Sequence, residues 1–207
     1  MPEPVSVEVV LDDGTRVTGT VPCALPAPDP GPLRLTYSRM KPSHRLAAWL
    51  DLMALVAYEP ESAWHSVVVA RNQSEAKSAP VAAVSDLVAA AADPATRAHT
   101  AADALGTVVA LYRRGLCEPL PLFAQLSPAL ADGTATRNAW TRHDGRGDGD
   151  DPYNRLVYGN LEYGELLELP AEEGDPPGPG GRPARLAAHL WGSVTATSID
   201  RAEGGGS

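Results

Sequence analysis

The sequence predicts an α+β fold, in which a small sheet built from the N-terminal strands is surrounded by helices. Apolar side chains alternate with a period of two within residues 5–37, whereas a helical period of about 3.6 residues dominates from residue 95 onward. With 207 residues and a hydrophobic content of 43%, the chain is long enough for one large domain, or for one domain with a tail.

The strongest local signal is a β-hairpin. Residues 5–10 and 16–21 both alternate apolar with polar side chains, and Asp12-Asp13-Gly14 supplies an Asp-Gly turn between them. A loop rich in proline and glycine follows, after which residues 33–37 and 64–70 are predicted as a third and a fourth strand. All predicted strands therefore precede residue 71.

Helices are predicted for most of the remaining chain. The first is expected to open at Pro42, with Ser43 as its N-cap and an apolar stripe that includes Trp49. Asp93-Pro94 should separate the next two helices, because proline begins a helix more readily than it continues one. The further helices are predicted over residues 81–92, 95–114, 123–131, 134–142, 152–161 and 185–199.

The loops set the expected domain boundaries. Residues 1–173 are expected to form one domain, and the Pro/Gly-rich stretch 174–183 is expected to be a flexible linker. Residues 184–200 should then add a C-terminal amphipathic helix to the same domain. Residues 201–207 are expected to be a disordered tail.

Composition narrows the class of protein. The net charge of −9 disfavours a free-standing nucleic-acid binder, although a local basic patch or a partner subunit still permits DNA contact. Cys23 and Cys117 are too few for a zinc site or an iron–sulfur cluster, and two reduced thiols are expected. The N-terminus lacks a basic and an apolar stretch, and no apolar window is long enough to span a membrane, so a cytoplasmic protein is expected.

The acidic glycine loop at residues 144–151 offers four carboxylates to a metal ion. A calcium loop of the EF-hand type needs an oxygen ligand at its third position, where Arg146 stands here, so a solvated loop is favoured. No Gly-Lys-Ser/Thr phosphate loop and no Gly-x-Ser-x-Gly elbow is present in the sequence. No catalytic residue, metal, cofactor or bound nucleotide is therefore predicted for this chain alone.

One basic cluster is a candidate for contact with nucleic acid. It lies where the third strand meets the first helix, and a helix N-terminus adds its own preference for anions. A phosphate-backbone contact and a solvated, charge-balanced junction are both compatible with it. The cluster consists of Arg34, Arg39, Lys41, His44 and Arg45.

Two segments in order carry a family resemblance. Residues 112–123 read YRRGLCEPLPLF, and residues 150–159 read DDPYNRLVYG. Together with the strand, basic junction and helix of residues 33–55 and a closing helix that holds Trp191, they resemble the C-terminal part of the RecC family. RecC is the gamma subunit of the RecBCD complex, exodeoxyribonuclease V, and the resemblance extends over residues 19–199.

The resemblance implies a degenerate PD-(D/E)XK, or restriction-endonuclease-like, fold that has lost its active site. An active member carries an aspartate after the glycine of the second strand and Asp/Glu-x-Lys in the third, which together hold Mg²⁺. Here Gly19 is followed by Thr20-Val21-Pro22, and the third strand reads Thr36-Tyr37-Ser38. AddB-like relatives bind an iron–sulfur cluster through four cysteines, which this chain lacks.

The resemblance therefore implies a non-catalytic subunit module that acts at double-stranded DNA ends in repair by homologous recombination. Its partners would be RecB-like and RecD-like subunits, and the apolar segment 116–123 would face a partner or other domains. Since RecC is a much longer subunit, a fragment, a truncated reading frame or a split subunit is expected, and chi would be recognised elsewhere. The candidates for DNA contact are members of the basic cluster described above: Arg34, Arg39, Lys41 and Arg45.

Two other interpretations stay open at this point. One is an active, Mg²⁺-dependent PD-(D/E)XK nuclease whose acidic residues have migrated to Glu8, Asp12 and Asp13. The other is a pure protein-interaction domain without DNA contact. Charge reversal in the basic cluster separates the second interpretation from a DNA-binding module.

Overall fold

The computed structural model describes residues 3–72, 82–88, 93–159 and 161–203. The protein has a mixed α/β fold with small sheets and helices, as the sequence predicts. It divides into two compact units. Unit 1 comprises residues 1–108 and 197–207, and unit 2 comprises residues 109–196.

The β-hairpin is confirmed in unit 1. Strand β1 (Val5–Val10) pairs antiparallel with β2 (Arg16–Val21), in a register that places Val9 opposite Val17. Gly14 adopts a φ of 80°, a left-handed conformation that glycine accepts without strain, and this explains the Asp-Gly signal at the turn. Val7 and Val9 are buried, so one face of the hairpin faces the core.

A four-stranded sheet forms the centre of unit 1, with the strand order β3-β4-β5-β6. The first pair is parallel and the other two pairs are antiparallel. The predicted third and fourth strands are confirmed, each with slightly different ends. The strands are β3 (Leu33–Arg39), β4 (His65–Arg71), β5 (Ala82–Val88) and β6 (Ser198–Glu203).

Two predicted helices are corrected by this sheet. The helix predicted over residues 81–92 is wrong, because residues 82–88 form β5 in the middle of the sheet; residues 81 and 89–92 lie outside the described residues. The helix predicted to run to residue 199 ends at residue 197, and β6 begins at residue 198. Residues 201–203 of the expected tail belong to β6, and residues 204–207 lie outside the described part of the chain.

Helix α1 (Pro42–Tyr58) connects the parallel strands β3 and β4 and contributes much of the core of unit 1. The hydroxyl of Ser66 on β4 donates a hydrogen bond of 3.2 Å to the carbonyl oxygen of Ala48, which ties the helix to one face of the sheet. Ser43 was predicted to be the N-cap of α1. That prediction is wrong, because Lys41 occupies the N-cap position and Pro42 is the first helical residue. The buried positions of α1 are Ala48, Trp49, Leu52, Met53, Ala54, Leu55 and Val56.

Unit 2 is helical, and its predicted helices are present with shifted ends. Its compact core includes Phe123, Leu126, Trp140 and Leu166, all at most 3% exposed. None of the helices described here is long and apolar enough to cross a membrane. The helices are α2 (Pro94–Gly115, which begins in unit 1), α3 (Leu126–Ala131), α4 (Arg137–Trp140), α5 (Pro152–Tyr158), α6 (Tyr163–Leu167) and α7 (Arg182–Thr197).

The predicted domain boundaries remain a prediction, but the Pro/Gly-rich segment has specific contacts. Asp175 within it accepts from the guanidinium of Arg114 at 2.7 Å, and the Asp175 side chain is only 1% exposed. Arg182, near the end of the predicted linker, is the first residue of α7 and is buried. The segment is therefore anchored within unit 2 at two points.

Candidate nucleic-acid interface

The junction between β3 and α1 is built by a short extended turn. The chain leaves the ladder at Arg39, whose partner across the parallel pair is Arg71. Met40 is buried, and its backbone N–H donates to the carbonyl oxygen of Arg71 at 3.1 Å. Lys41 follows as the exposed N-cap of α1. Three cationic residues therefore meet where the strand ends and the helix begins.

Arg34 of the predicted cluster pairs with a carboxylate on α1. Its guanidinium forms an ion pair of 2.6 Å with the carboxylate of Asp51 on α1, and its Nε donates to the same oxygen at 3.1 Å. The Arg34 side chain is 43% exposed, so the pair lies at the surface, where such pairs contribute little stability. Its charge is balanced locally by Asp51, and we expect it to contribute little to a positive surface.

The N-terminus of α1 carries no acidic residue in its first turn. The backbone N–H of Lys41 donates to Nδ1 of His44 at 3.3 Å, and Nε2 of His44 lies 3.5 Å from the Ser38 hydroxyl. The imidazole of His44 thus accepts the hydrogen bond from the N-cap backbone, a role that a glutamate or glutamine side chain usually has in a capping box. Arg45, partly buried, stands one position further along the first turn. Without a carboxylate, the helix dipole and the nearby cations favour an anion here.

The exposure of three residues next to this junction was missed by the sequence prediction. Arg71 ends β4 and is brought beside Arg39 by the parallel register, which sequence spacing alone does not reveal. Tyr37 is completely exposed on β3, and Leu35 is 71% exposed. The alternation of β3 indicated a half-buried strand, but its Leu35 and Tyr37 side chains lie at the surface.

The acidic glycine loop is a structural element of unit 2. The buried Asp148 carboxylate accepts from the backbone N–H groups of Gln125 and Leu126, at 2.8 and 2.7 Å. Asp151 caps α5 by accepting from Tyr153 and Asn154. Burial raises the pKa of Asp148, and the hydrogen bonds from Leu126 and Gln125 lower it only in part.

The other two carboxylates of this loop also have partners. Asp150 accepts from the backbone N–H groups of Gly147, at 2.8 Å, and Arg142, at 3.3 Å. Asp144 forms an ion pair with Arg142 at 3.0 Å. The loop is therefore more than a solvated connection, because its aspartates close turns and helix ends.

The acidic residues suggested for an active nuclease all lie in the β-hairpin, and each has a different neighbour. Glu8 forms an ion pair with Arg16 across the hairpin. Asp13 accepts from the backbone N–H of Thr15 at 2.8 Å and so helps to close the turn. Asp12 lies beside His99 and Asp103 on α2.

The segment 116–123 and the two cysteines complete the predicted features. Leu116 is 69% exposed, whereas Phe123 is buried in the core of unit 2, so only part of the segment is available to a partner. Both cysteines are free: Cys117 is exposed and Cys23 is buried. Burial raises the pKa of Cys23, with a smaller contribution in the same direction from the charge of Asp51.

Comparison with known proteins places the chain in a family. Residues 1–135 match the family model of the RecC C-terminal domain. The chain is 32% identical over 195 residues to the RecBCD enzyme subunit RecC of two strains of Mycobacterium tuberculosis, covering 89% of this chain and 16% of each relative. It is also 32% identical over 126 residues to RecC of Mycolicibacterium smegmatis, covering 61% of this chain and 10% of the relative.

The chain thus spans about a sixth of the length of the M. tuberculosis relatives that it matches. The matched residues include the whole hairpin, β3, the basic junction and α1. The alignment with the M. tuberculosis subunits covers most of both units. The chain belongs to the RecC C-terminal domain family.

Proposed function

We propose that this chain acts as the non-catalytic C-terminal module of a RecC-like subunit of exodeoxyribonuclease V. In this proposal it packs in the cytoplasm against RecB-like and RecD-like subunits of the helicase–nuclease. It helps to guide or separate strands at a duplex end during double-strand break repair by homologous recombination. The observation that carries the proposal is the family match, which includes the β3–α1 junction.

The chemistry of β2 and β3 supports the non-catalytic part of the proposal. In a degenerate PD-(D/E)XK fold, residues 20–22 and 36–38 would occupy the places of the metal-binding carboxylates. These positions carry hydroxyl, apolar and aromatic side chains. Two-carboxylate coordination of Mg²⁺ has no ligand there, and Thr36 and Ser38 instead share a hydrogen bond of 3.0 Å.

The charge at the β3–α1 junction supports contact with DNA. Arg39, Lys41 and Arg45 lie at a helix N-terminus without a carboxylate in its first turn. Such an arrangement suits phosphate oxygens, which receive most of the sequence-independent contacts in protein–DNA complexes. Arg71 adds a fourth cation beside Arg39. The proposed contacts are Arg39, Lys41 and Arg45, with Arg34 at the margin because of its pairing with Asp51.

The test uses the chain co-expressed with RecB-like and RecD-like subunits. Affinity for a fluorescein-labelled blunt duplex is measured by anisotropy at several salt concentrations. Reversal of charge at Arg39, Lys41 and Arg45 should reduce affinity by about tenfold or more, and should flatten the salt dependence by about 0.9 in slope per lost phosphate contact. Because Arg45 is partly buried, its charge reversal perturbs the fold more than a surface change does. The double variant Arg39→Gln and Lys41→Gln therefore tests the same surface while Arg45 is left unchanged.

A matched control reverses two exposed cations of unit 2, Arg146→Glu and Arg155→Glu, which should leave the affinity and the salt slope unchanged. If the junction variants assemble normally and bind DNA like the wild type, the chain is an interaction domain without DNA contact. If the chain by itself cleaves linear DNA with Mg²⁺ and loses this activity on Asp12→Ala, the non-catalytic proposal is wrong. Failure to co-purify with either subunit would contradict the assembly.

A further inference from the structure

An imidazole and two carboxylates from distant parts of the sequence meet on the surface of unit 1. Ligand atoms of Asp12, His99 and Asp103 all lie within 4.8 Å of one another. Asp12 comes from the turn of the hairpin, whereas the other two residues stand one helical turn apart on α2, with Nε2 of His99 3.3 Å from the Asp103 carboxylate. Small side-chain movements would bring ligand atoms at these separations onto one ion.

The backbone on which these side chains stand is fixed on both sides. In the hairpin turn, the Asp13 carboxylate accepts from the N–H of Thr15 at 2.8 Å, so Asp13 is used locally while Asp12 is directed to α2. At the start of α2, the guanidinium of Arg97 donates to the carbonyl oxygen of Pro60 at 2.6 Å and ties the helix to the loop that follows α1. Ligands on ordered backbone bind a metal with less loss of conformational entropy.

The charges at this point are incompletely balanced. Within the described part of the chain, no lysine or arginine forms an ion pair with Asp12 or Asp103, and His99 is their cationic candidate. One carboxylate oxygen of Asp12 and one of Asp103 lie within 4.8 Å of each other, an arrangement of negative charges that favours a divalent cation. Histidine ligates a metal through its neutral imidazole.

We propose that Asp12, His99 and Asp103 form a binding site for a divalent first-row transition metal, with Zn²⁺ as the ion that fits best. An imidazole nitrogen disfavours Ca²⁺ and Mg²⁺, which prefer oxygen ligands throughout. One nitrogen and two carboxylate oxygens make three protein ligands, and Zn²⁺ accepts water at its fourth position. The site is separate from the β3–α1 junction and does not depend on the proposed function.

The bound ion would clamp the hairpin turn to α2. The hairpin forms a two-stranded sheet of its own, with no ladder to the four-stranded sheet among the described residues. A ligand that binds the folded form raises its stability in proportion to the logarithm of its free concentration over Kd. Zn²⁺ should therefore raise the thermal midpoint of unit 1.

The experiment uses the full chain carrying Cys117→Ser, because the exposed Cys117 thiol would bind Zn²⁺ by itself. After dialysis against EDTA and then buffer, Zn²⁺ is titrated by calorimetry. One ion per chain is expected, and His99→Ala and Asp12→Asn should each lower the affinity by about tenfold or more, since even an outer-shell partner contributes 10–100-fold. Asp29→Asn, an exposed acid in the loop before β3, is the matched control and should bind like the parent.

A second measurement locates the ion. Mn²⁺ added in substoichiometric amounts should broaden the amide resonances of residues near Asp12, His99 and Asp103 before any others. Circular dichroism in EDTA checks that each variant is folded, which is expected since all three side chains are exposed. Equal Zn²⁺ affinities in the parent, His99→Ala and Asp12→Asn, or the absence of binding at millimolar Zn²⁺, would overturn the site.

Discussion

Arg182 and Asp175 form an ion pair of 3.2 Å in which the two side chains are only 9% and 1% exposed. The same guanidinium reaches Glu172 at 2.8 Å and Glu118 at 3.1 Å, and Arg114 binds the other oxygen of Asp175 at 2.7 Å. This network joins the end of α2, the Pro/Gly-rich segment and the start of α7 within unit 2. The Asp175 carboxylate therefore anchors residues 174–183, which the sequence predicted to be a flexible linker.

Asp175→Ala should strongly destabilise unit 2. The substitution removes a buried carboxylate that both Arg114 and Arg182 contact; because both arginines keep Glu118 as a partner, we expect a loss of about 1.5–3 kcal/mol, the range for a hydrogen bond to a charged group. Glu172→Ala is the control, since its side chain is 53% exposed and its loss should cost less than about 1 kcal/mol. Urea unfolding followed by tryptophan fluorescence measures both, and equal effects of the two substitutions would contradict the importance of burial.

The same carboxylate should give unit 2 a defined dependence on pH. Burial raises the pKa of Asp175, but the hydrogen bonds from Glu172 N–H and Arg114 and the charges of Arg182 and Arg114 outweigh it, so the pKa lies below its usual range. A lowered folded-state pKa contributes stability above the unfolded value of about 3.9, and this is lost as pH falls through the folded value. The gap in unfolding free energy between wild type and Asp175→Asn should therefore shrink below about pH 4.

The pH dependence that Asp148 gives to the stability of unit 2 should have the opposite sign to that of Asp175. Burial raises its pKa, so the folded state favours the protonated carboxyl, and the contribution of Asp148 to stability declines as pH rises through its folded pKa. Asp148→Asn should therefore gain stability relative to the wild type between pH 4 and neutrality, the range above the unfolded pKa of about 3.9. Asp148→Ala should lose about 2–4 kcal/mol at neutral pH, because the N–H groups of Gln125 and Leu126 lose their acceptor. Chemical unfolding at several pH values checks both.

Local sequence signals predicted the elements whose partners are close in the chain. The hairpin, β3, α1 and β4 follow one another, and each was predicted with nearly correct ends. The alanine-rich segment 81–92 has the composition of a helix, but the backbone of residues 82–88 pairs with β4 on one side and with β6 on the other. Since β6 lies more than a hundred residues further along, no local pattern contained the pairing that decides its conformation.

The prediction of candidate sites from the sequence was limited in the same way. Residues 39–45 are contiguous, so the basic junction was visible in the sequence, whereas Arg71 joins it only through the parallel register of β3 and β4. Asp12 was a candidate ligand in the sequence, but His99 and Asp103 reach it only because the fold brings α2 to the hairpin turn. Sequence spacing identifies sites within one element and misses those that two elements assemble.

Gly149→Ala should destabilise unit 2 through contact with Trp140. A Cβ at this position would lie 2.7 Å from the indole ring of Trp140, which is buried and donates from its Nε1 to the carbonyl oxygen of Leu161. Forcing such a side chain to shift costs about 1–3 kcal/mol. Gly192→Ala in α7 is the matched control, because a Cβ there meets nothing within 4 Å and should stabilise the helix by about 0.5–1 kcal/mol. Thermal unfolding should separate the two variants in opposite directions.

Tyr158→Phe should leave unit 2 as stable as the wild type or make it more stable by about 1 kcal/mol. Among the described residues the Tyr158 hydroxyl is buried without a hydrogen-bond partner, and burial raises its pKa to about 12. Phenylalanine removes this group and keeps the edge-to-face contact with Phe123, whose ring centroid lies 5.3 Å away.

Tyr153→Phe is the matched control for this substitution, since Tyr153 is 80% exposed on the same helix and its hydroxyl remains in water. The free energy of unfolding in urea should be unchanged for the control. A loss of more than about 1 kcal/mol in Tyr158→Phe would mean that the buried hydroxyl is hydrogen-bonded in solution, because only a satisfied hydroxyl stabilises the folded state.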